Sequence, residues 1–300
     1  MIVVAGEALI DLVPVAPPEP GAPLPPLAPR PGGGPYNTAI ALGRLGAPAA
    51  FCSRISADGF GDALLGGLAA AGVDTSYVVG APAPTTLAVA AVGPDGSAGY
   101  TFYALGTADR LFELPPPLPE RTRAVAFGTC SLVLEPGASA YEALLLREAR
   151  LGRCVLLDPN VRPALIPDAD AYRKRFRSWL PYVSLLKLSE EDARWLGGVP
   201  EGPGAVVLTR GAGGLTVRTR GGTRVSVPAV PVEVADTIGA GDTVNAALLH
   251  GLAARDALSA AGLEALGADG WREVLALAAR AAAVTCSRPG AEPPYAAELS

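Results

Sequence analysis

The chain has 300 residues, of which 50% are hydrophobic and 18% charged. This supplies enough apolar sequence for one large α/β domain and excludes an intrinsically disordered chain. The formal net charge of −5 argues against nucleic acid as a partner, since such proteins need a broad basic surface. The acidic start does not resemble a signal peptide and no apolar run approaches the length of a membrane span. We therefore expect a cytoplasmic protein with no membrane partner.

Short apolar runs alternate with Ala/Leu-rich segments along the chain, a pattern that predicts a mainly parallel sheet covered by helices on both faces. The predicted strands are residues 2–6, 124–128, 154–158, 183–188 and 205–209. The predicted helices are residues 37–45, 60–71, 137–150, 168–180 and 189–196. Glycines directly after several of these helical runs are the usual helix stops. We expect a single catalytic domain over residues 1–300.

Two segments interrupt this alternation. Residues 85–103 contain two alternating β-type runs around the turn at residues 93–96, which predicts a β-hairpin, and residues 14–35 are rich in proline. We expect a small β lid over the mouth of the sheet, formed by about 12–33 and 82–106. A solvated polyproline linker is the alternative for the proline-rich stretch. Because an open sheet edge invites a partner, a homodimer through the lid is an expectation and a monomer its alternative.

The motif with the clearest chemistry runs from Asp236 to Asp242, in the order DTIGAGD, directly before a helical run. Small residues at a helix start bring backbone N–H groups together where the helix dipole attracts anionic oxygen. An added carboxylate would repel a phosphate that is only bound. It makes sense if Asp242 removes a proton from an attacking hydroxyl while Gly239, Ala240 and Gly241 stabilise a transferring phosphoryl group. The alternative is a plain aspartate N-cap.

Several motifs together resemble the ribokinase (PfkB-type) family of carbohydrate kinases. DTIGAGDTVNAALL is similar to the C-terminal signature of that family and GGGPYNTAIALGRLG to the N-terminal one. Between them, DPNVRPAL, KLSEEDARWL and VVLTRGAGG occur in the order of the family. The resemblance covers nearly the whole chain and implies a ribokinase-like three-layer αβα sandwich. It also implies an ATP-dependent sugar kinase.

The resemblance also assigns a sugar site. Its predicted residues are Asp11, Gly33, Gly34, Asn37, Tyr103 and Arg162. The chemistry agrees, because a carboxylate and an amide can pair with vicinal hydroxyls and glycines allow close backbone approach. The alternatives are a surface acid for Asp11, a helix cap for Asn37, lid packing for Tyr103 and a surface arginine after an Asp-Pro turn for Arg162. Further positions expected near the substrate or phosphates are Thr107, Ala108, Asp109, Asp158 and Asn160.

For the nucleotide, the resemblance implies a phosphate cradle. Its predicted residues are Lys187, Thr209, Arg210, Gly211, Gly214, Gly239 and Gly241. The chain contains neither GxxxxGK[ST] nor GxGxxG, so ATP use depends on the family motifs alone. Many relatives carry an Asn-x-x-Glu motif for magnesium, where this chain has Ser189 to Asp192. We therefore expect Mg²⁺ at Asp192, with a capping box as an equal alternative.

The family also often holds a monovalent cation such as K⁺ near the anion turn. The matching positions are Asp236, Ile238 and Gly290.

The combined motifs are most similar to those of bacterial fructokinases, which implies fructose phosphorylated at its 6-hydroxyl. A 2-keto-3-deoxygluconate kinase is the nearest alternative, but such enzymes tend to place an arginine just after the lid tyrosine. Here Ala104 and Leu105 follow Tyr103, which favours a neutral sugar. Ribose or a nucleoside is a further alternative. A catalytically silent sugar-binding protein on the same fold is the alternative of another class.

Overall fold

The computed structural model describes residues 1–16, 25–92 and 98–299. The strands in this part of the chain are β1 (Ile2–Ala5), β2 (Leu9–Pro14), β3 (Leu27–Gly32), β4 (Ala49–Ser56), β5 (Asp74–Ala81), β6 (Leu87–Val92), β7 (Ala98–Tyr103), β8 (Ala124–Gly128), β9 (Cys154–Asp158), β10 (Leu185–Ser189), β11 (Ala205–Thr209), β12 (Leu215–Thr219) and β13 (Arg224–Val227). The helices are α1 (Gly34–Arg44), α2 (Gly59–Ala70), α3 (Gly137–Arg150), α4 (Ala169–Trp179), α5 (Glu190–Leu196), α6 (Ala240–Ala253), α7 (Ala260–Ala265) and α8 (Gly267–Cys286).

Nine strands form one central sheet in the order β13-β12-β11-β10-β9-β8-β1-β4-β5. All neighbours from β11 to β5 pair in parallel, and only β12 and β13 are antiparallel. Along β1, Ile2 and Val4 join a core with α1, α2, α6 and α8, whereas Val3 and Ala5 join a second core with α3, α4 and α5. Because strand side chains alternate between faces, the two cores lie on opposite sides of the sheet. The predicted three-layer αβα sandwich is therefore confirmed.

Every strand and helix predicted above corresponds to an element of the structure, with ends displaced by up to three residues. The largest difference is at α1, predicted from residue 37, which begins at Gly34 with Pro35 in its first turn. Proline fits that position because the first helical N–H groups need no intrahelical partner. In the described chain, no helix has the length and apolar character to cross a membrane.

A second sheet has four strands in the order β3-β2-β6-β7. The predicted hairpin is present as the antiparallel pair β6 and β7, although its turn at residues 93–96 lies outside the described residues, as do residues 17–24 of the proline-rich stretch. Over residues 27–32 the linker alternative is wrong, because this segment is strand β3. Pro29 and Pro31 fit there since β3 is an edge strand, where a missing N–H breaks no ladder.

Candidate active site

The glycine turn lies immediately before α6. Gly239 is the N-cap of this helix and has a positive φ of 76°, which glycine adopts without strain. A Cβ at Gly239 would lie 2.6 Å from the Cβ of Ala291, and one at Gly241 would lie 2.8 Å from Lys187 Nζ. Asp242 is the third residue of α6 and does not cap it. The N-cap alternative for Asp242 is therefore wrong.

Asp242 is a buried carboxylate, 7% exposed. Asn37 Nδ2 donates a 2.9 Å hydrogen bond to its Oδ2. Its Oδ1 lies on the side of Gly34, where an added Cβ would be 3.3 Å away. Burial raises the pKa of Asp242 to about 6, with a further contribution from the negative charge of Asp158, while the Asn37 hydrogen bond and the charge of Lys187 lower it. A carboxylate of this kind is ionised at neutral pH and can accept a proton.

Asn37 does not cap α1, whose N-cap is Gly33. The helix-cap alternative for Asn37 is therefore wrong, and its amide instead contacts Asp242. The two helices α1 and α6 pack against each other, and Thr38 Oγ1 donates to the backbone oxygen of Asp242 at 3.4 Å. The pairing of these helices thus fixes the position of the carboxylate.

Asp11 and Arg162, both predicted to bind the sugar, lie in the same region as Asp242. The charge of Arg162 lowers the pKa of both Asp11 and Asp242, so the guanidinium lies near both carboxylates. Burial outweighs this effect at Asp11 and raises its pKa to about 6. Arg162 is oriented by hydrogen bonds from its Nη1 to the backbone and side-chain oxygens of Asn160, at 3.1 and 2.8 Å. Gly33 adjoins this region with a φ of 106°, and a Cβ there would be 2.8 Å from the Glu7 carbonyl oxygen.

Tyr103 does not face Asp11. The strand register aligns Asp11 with Ala88 and Ala88 with Phe102, so Phe102 and Tyr100 share the face of Asp11 and Tyr103 points to the opposite face. Tyr103 is 61% exposed. Burial raises the pKa of Tyr100, and the nearby negative charge of Asp11 raises it further. Within this chain Tyr100 and Phe102 therefore lie on the face of Asp11, and a substrate contact by Tyr103 stays a prediction.

Thr107, Ala108 and Asp109, which were expected to face the substrate, are buried, and that role stays a prediction. The Asp109 carboxylate accepts hydrogen bonds from the hydroxyls of Thr86 and Thr107. Burial raises the pKa of Asp109, and these hydroxyl groups oppose that shift. A buried carboxylate needs such donors, so this group of residues supports the base of the second sheet.

A cavity of about 490 Å³ lies on the other side of the glycine turn. Its lining is mainly Ala, Val and Pro side chains from the β13–α6 connection and α8, together with Thr237, Ala240 and Gly241 at the glycine turn. The predicted nucleotide residues among this lining are Thr209, Gly211, Gly214 and Gly241. Such a mostly apolar cavity with a few polar groups is typical of a nucleotide or cofactor site.

Arg210 and Lys187, both predicted to contact the nucleotide, bond to other residues of the chain. The Arg210 side chain bonds Thr216 Oγ1 at 3.0 Å and pairs with Glu190 at 3.3 Å. Lys187 is 4% exposed and donates to Asp158 Oδ2 at 2.8 Å. Neither side chain lines the large cavity. Their contact with ATP stays a prediction.

Asp192 forms the capping box with Ser189 at the start of α5. Its Oδ2 accepts from the Ser189 backbone N–H at 3.1 Å, and its Oδ1 accepts from the Val161 N–H at 2.7 Å. Both oxygens are thus engaged by protein donors, which favours the capping alternative. Among the described residues, no group of three or more His, Cys, Asp or Glu side chains could hold a metal ion. The assignment of Mg²⁺ to Asp192 stays a prediction.

The three residues predicted for a monovalent cation are brought together. Asp236 Oδ1 accepts from the backbone N–H of Ile238 at 3.0 Å, and its Oδ2 accepts from that of Gly290 at 2.9 Å. The carboxylate therefore joins the glycine turn to the segment after α8. Cation binding at this junction stays a prediction.

Two residues of the site carried no prediction. Asn245 donates from Nδ2 to Asp158 Oδ2 at 2.7 Å. Thr129 has a positive φ of 58°, and its Oγ1 would lie 2.5 Å from a Cβ at Gly34. The available signal for Asn245 was an amide three residues after Asp242 in an otherwise apolar helical run, because residues i and i+3 share a helix face.

The chain matches the family model of the pfkB family carbohydrate kinases over residues 1–297. It is 40% identical to a fructokinase of Rhizobium leguminosarum bv. trifolii, over 84% of this chain and 79% of that protein. It is 33% identical to fructokinase-1 of Oryza sativa subsp. japonica, over 100% of this chain and 95% of that protein.

Among solved structures, fructokinase from Xylella fastidiosa with bound ATP superposes with a TM-score of 0.85, at 27% identity over 99% of this chain and 96% of that one. Fructokinase from Vibrio cholerae O395, in a fructose-, ADP- and calcium-bound form, gives a TM-score of 0.83 at 25% identity, covering 99% and 97% of the two chains. The chain therefore belongs to the pfkB family of carbohydrate kinases.

Proposed function

We propose that this protein transfers the γ-phosphoryl group of ATP to the 6-hydroxyl of fructose. The observation that carries the proposal is the position of the glycine turn between two cavities. Gly241 and Ala240 line the large, mainly apolar cavity, whereas Asp242 lines a second cavity of only about 10 Å³ with Gly34 and Asp158. A carboxylate and a row of amides thus meet where a nucleotide and an alcohol can approach each other.

The proposed roles follow from this geometry. Asp242 accepts the proton of the sugar hydroxyl, and the amides of the turn from Gly239 to Gly241 stabilise charge on the transferring group. Asp11 accepts hydrogen bonds from sugar hydroxyls, and the positive charge of Arg162 acts on both carboxylates. When bound with ATP, Mg²⁺ would neutralise phosphate oxygens. It usually binds through few protein ligands and the substrate phosphates, which is compatible with the absence of a three-ligand cluster among the described residues.

Fructose is preferred over 2-keto-3-deoxygluconate for two reasons. The relatives named above are fructokinases. The half-buried Asp11 carboxylate would repel a second carboxylate, and no arginine follows Tyr103, where Ala104 is buried and Leu105 is 89% exposed. Ribose or a nucleoside remains an alternative within the family.

The test is an ADP-release assay with fructose, ribose, 2-keto-3-deoxygluconate, mannose and adenosine. Turnover is expected to be fastest with fructose. Asp242→Asn should lower kcat by roughly 10²- to 10⁴-fold, the usual contribution of a general base. Asp62→Asn is the matched control, because Asp62 is also in the first turn of a helix but is exposed, and it should leave kcat unchanged. Sugar binding without ADP release in the parent would instead support the silent-binder alternative.

The proposal includes a cytoplasmic location and a lid-mediated homodimer. The cysteines Cys52, Cys130, Cys154 and Cys286 are all free, as is usual in a reducing compartment, where ATP is also available.

The second sheet exposes apolar side chains, among them Leu27 and Tyr103, and such a patch favours a protein contact. Sedimentation of the parent and of Tyr103→Asp, which should be more monomeric, tests the dimer.

A further inference from the structure

A buried ion pair lies beneath the glycine turn. Lys187 Nζ is 2.8 Å from Asp158 Oδ2, and both residues are at most 4% exposed. Asn245 Nδ2 donates to the same Asp158 oxygen at 2.7 Å. These three residues, the Lys187 cluster, come from β10, β9 and α6, so they join the central sheet to the helix that carries Asp242.

The ammonium group of Lys187 contacts the turn from below. A Cβ placed on Gly241 would be only 2.8 Å from Nζ, so the charge lies directly against the backbone of the turn. Burial is the largest single effect on the pKa of Lys187 and lowers it, but the charge and hydrogen bond of Asp158, together with the charges of Asp242 and Asp192, outweigh burial and raise that pKa overall. Lys187 is therefore a fixed positive charge at neutral pH.

Stability alone is a poor explanation for this cluster. Taking two charges out of water costs about as much as their attraction returns, so an apolar pair of similar volume would often stabilise the fold at least as well. The cluster also leaves Asp158 Oδ1 and Asn245 Oδ1 buried without a hydrogen-bond partner. Both residues line the small cavity that also contains Asp242. The charge is thus kept at the site of phosphoryl transfer despite its desolvation.

We propose that Lys187 is a positioning residue that does not bind ATP directly. Asp158 and Asn245 hold it in place, and its positive charge polarises the backbone of the glycine turn toward the transferring phosphoryl group. The inference rests on the proposed function. Charge that is already in place when negative charge develops stabilises a transition state without reorganisation. Its removal should therefore lower kcat and leave the binding of ATP largely intact.

The experiment compares the parent with the double variant Asp158→Asn/Lys187→Met. This double variant contains no unpaired buried charge, and the amide oxygen introduced at position 158 can still accept from Asn245, so it avoids the unfolding expected when one partner is removed. Lys174→Met is the control, because Lys174 is the other lysine of the chain and is exposed. The double variant should melt cooperatively, keep KM for ATP and fructose within about threefold, and lose roughly 10- to 100-fold in kcat. The two removed charges shift the pKa of Asp242 in opposite directions, so the loss of kcat should not come from a change in the ionisation of Asp242. The loss should therefore persist at alkaline pH, where Asp242 is fully ionised.

Two outcomes would overturn the inference. A folded double variant with the kcat of the parent would make the pair purely structural. An unchanged kcat with a tenfold higher KM for ATP would mean that Lys187 binds the nucleotide. Titration calorimetry with a non-hydrolysable ATP analogue gives a readout independent of turnover, and similar Kd values are expected for parent and double variant. If the parent releases no ADP with any sugar, the proposed function fails, and a tenfold weaker Kd in the double variant would separately reject the inference.

Discussion

Replacing Asn37 with alanine should shift the pH dependence of turnover. The Asn37 amide donates to Asp242 Oδ2 at 2.9 Å, and both groups are at least nine-tenths buried. Other charges that act on Asp242 are those of Asp158, Lys187 and Arg162, and the substitution removes none of them. Loss of a hydrogen bond to the ionised form disfavours that form. The pKa of Asp242 should therefore rise.

The size of the shift follows from the strength of the bond. A hydrogen bond to a charged group contributes about 1.5 to 3 kcal/mol, and one pKa unit corresponds to about 1.4 kcal/mol. The pKa of Asp242, about 6 in the parent, should thus rise by roughly one to two units. At pH 7 the ionised fraction of Asp242 would fall from about nine-tenths to between about a half and a tenth.

The assay is kcat against pH from 5 to 9.5 at saturating fructose and ATP. Asn37→Ala should move the acidic limb to higher pH and recover most of its kcat near pH 9. Thr38→Val is the matched control, since Thr38 is the neighbouring buried residue and contacts only the backbone oxygen of Asp242, so its acidic limb should stay in place. An Asn37→Ala profile with an unshifted limb and a raised KM for fructose would refute this reasoning and return Asn37 to the sugar-binding role.

Two further predictions concern buried or closely packed groups. Burial raises the pKa of Glu7 to about 7, opposed by its Ser131 hydrogen bond; the folded state thus binds the extra proton, and stability should fall as pH rises from about 4.5 to 7. Between pH 5.5 and 8.5 this loss should be about 2 kcal/mol in the parent and absent in Glu7→Gln, measured by urea unfolding at the two pH values, and an equal loss in both proteins would contradict it. Gly34→Ala, whose Cβ would be 3.3 Å from Asp242 Oδ1, should lower kcat/KM for fructose by roughly 10- to 100-fold, whereas Gly66→Ala, which meets nothing within 4 Å, should not.

Much of the fold could be predicted because its strands are continuous apolar runs between amphipathic helices. The exceptions have physical causes. Strand β4 includes Arg54, whose side chain reaches the carbonyl oxygen of Leu111 at 2.7 Å, a contact that no local pattern reveals. Strand β3 contains Pro29 and Pro31, which argue against a strand unless it lies at an edge. Whether a strand lies at an edge depends on the order of all the strands in the sheet, and that order cannot be predicted from the sequence of one segment.

The residues of the candidate site could be predicted where a local motif contains them. They could not be predicted where they are brought together by contacts between distant parts of the sequence. The glycine turn specifies Asp242 within a few residues. Asn245 was missed because its partner Asp158 is 87 residues away, and the two meet only once β9 and α6 are packed together. The face of β7 on which Tyr103 lies could not be predicted either, because it depends on register, and a shift of one residue exchanges the two faces of a strand.

The charges around Asp242 also explain why its environment has to mix both signs. Burial alone would raise its pKa further and leave the base protonated near neutral pH, whereas positive charge alone would make it too weak a base to accept a proton. Lys187 and Arg162 lower the pKa, and Asp158 raises it while holding Lys187 in place. Removing Asp158 by itself would therefore act twice, directly on Asp242 and indirectly through a buried lysine left without its partner. For this reason the paired substitution separates the role of the charge from its effect on folding, and a single substitution does not.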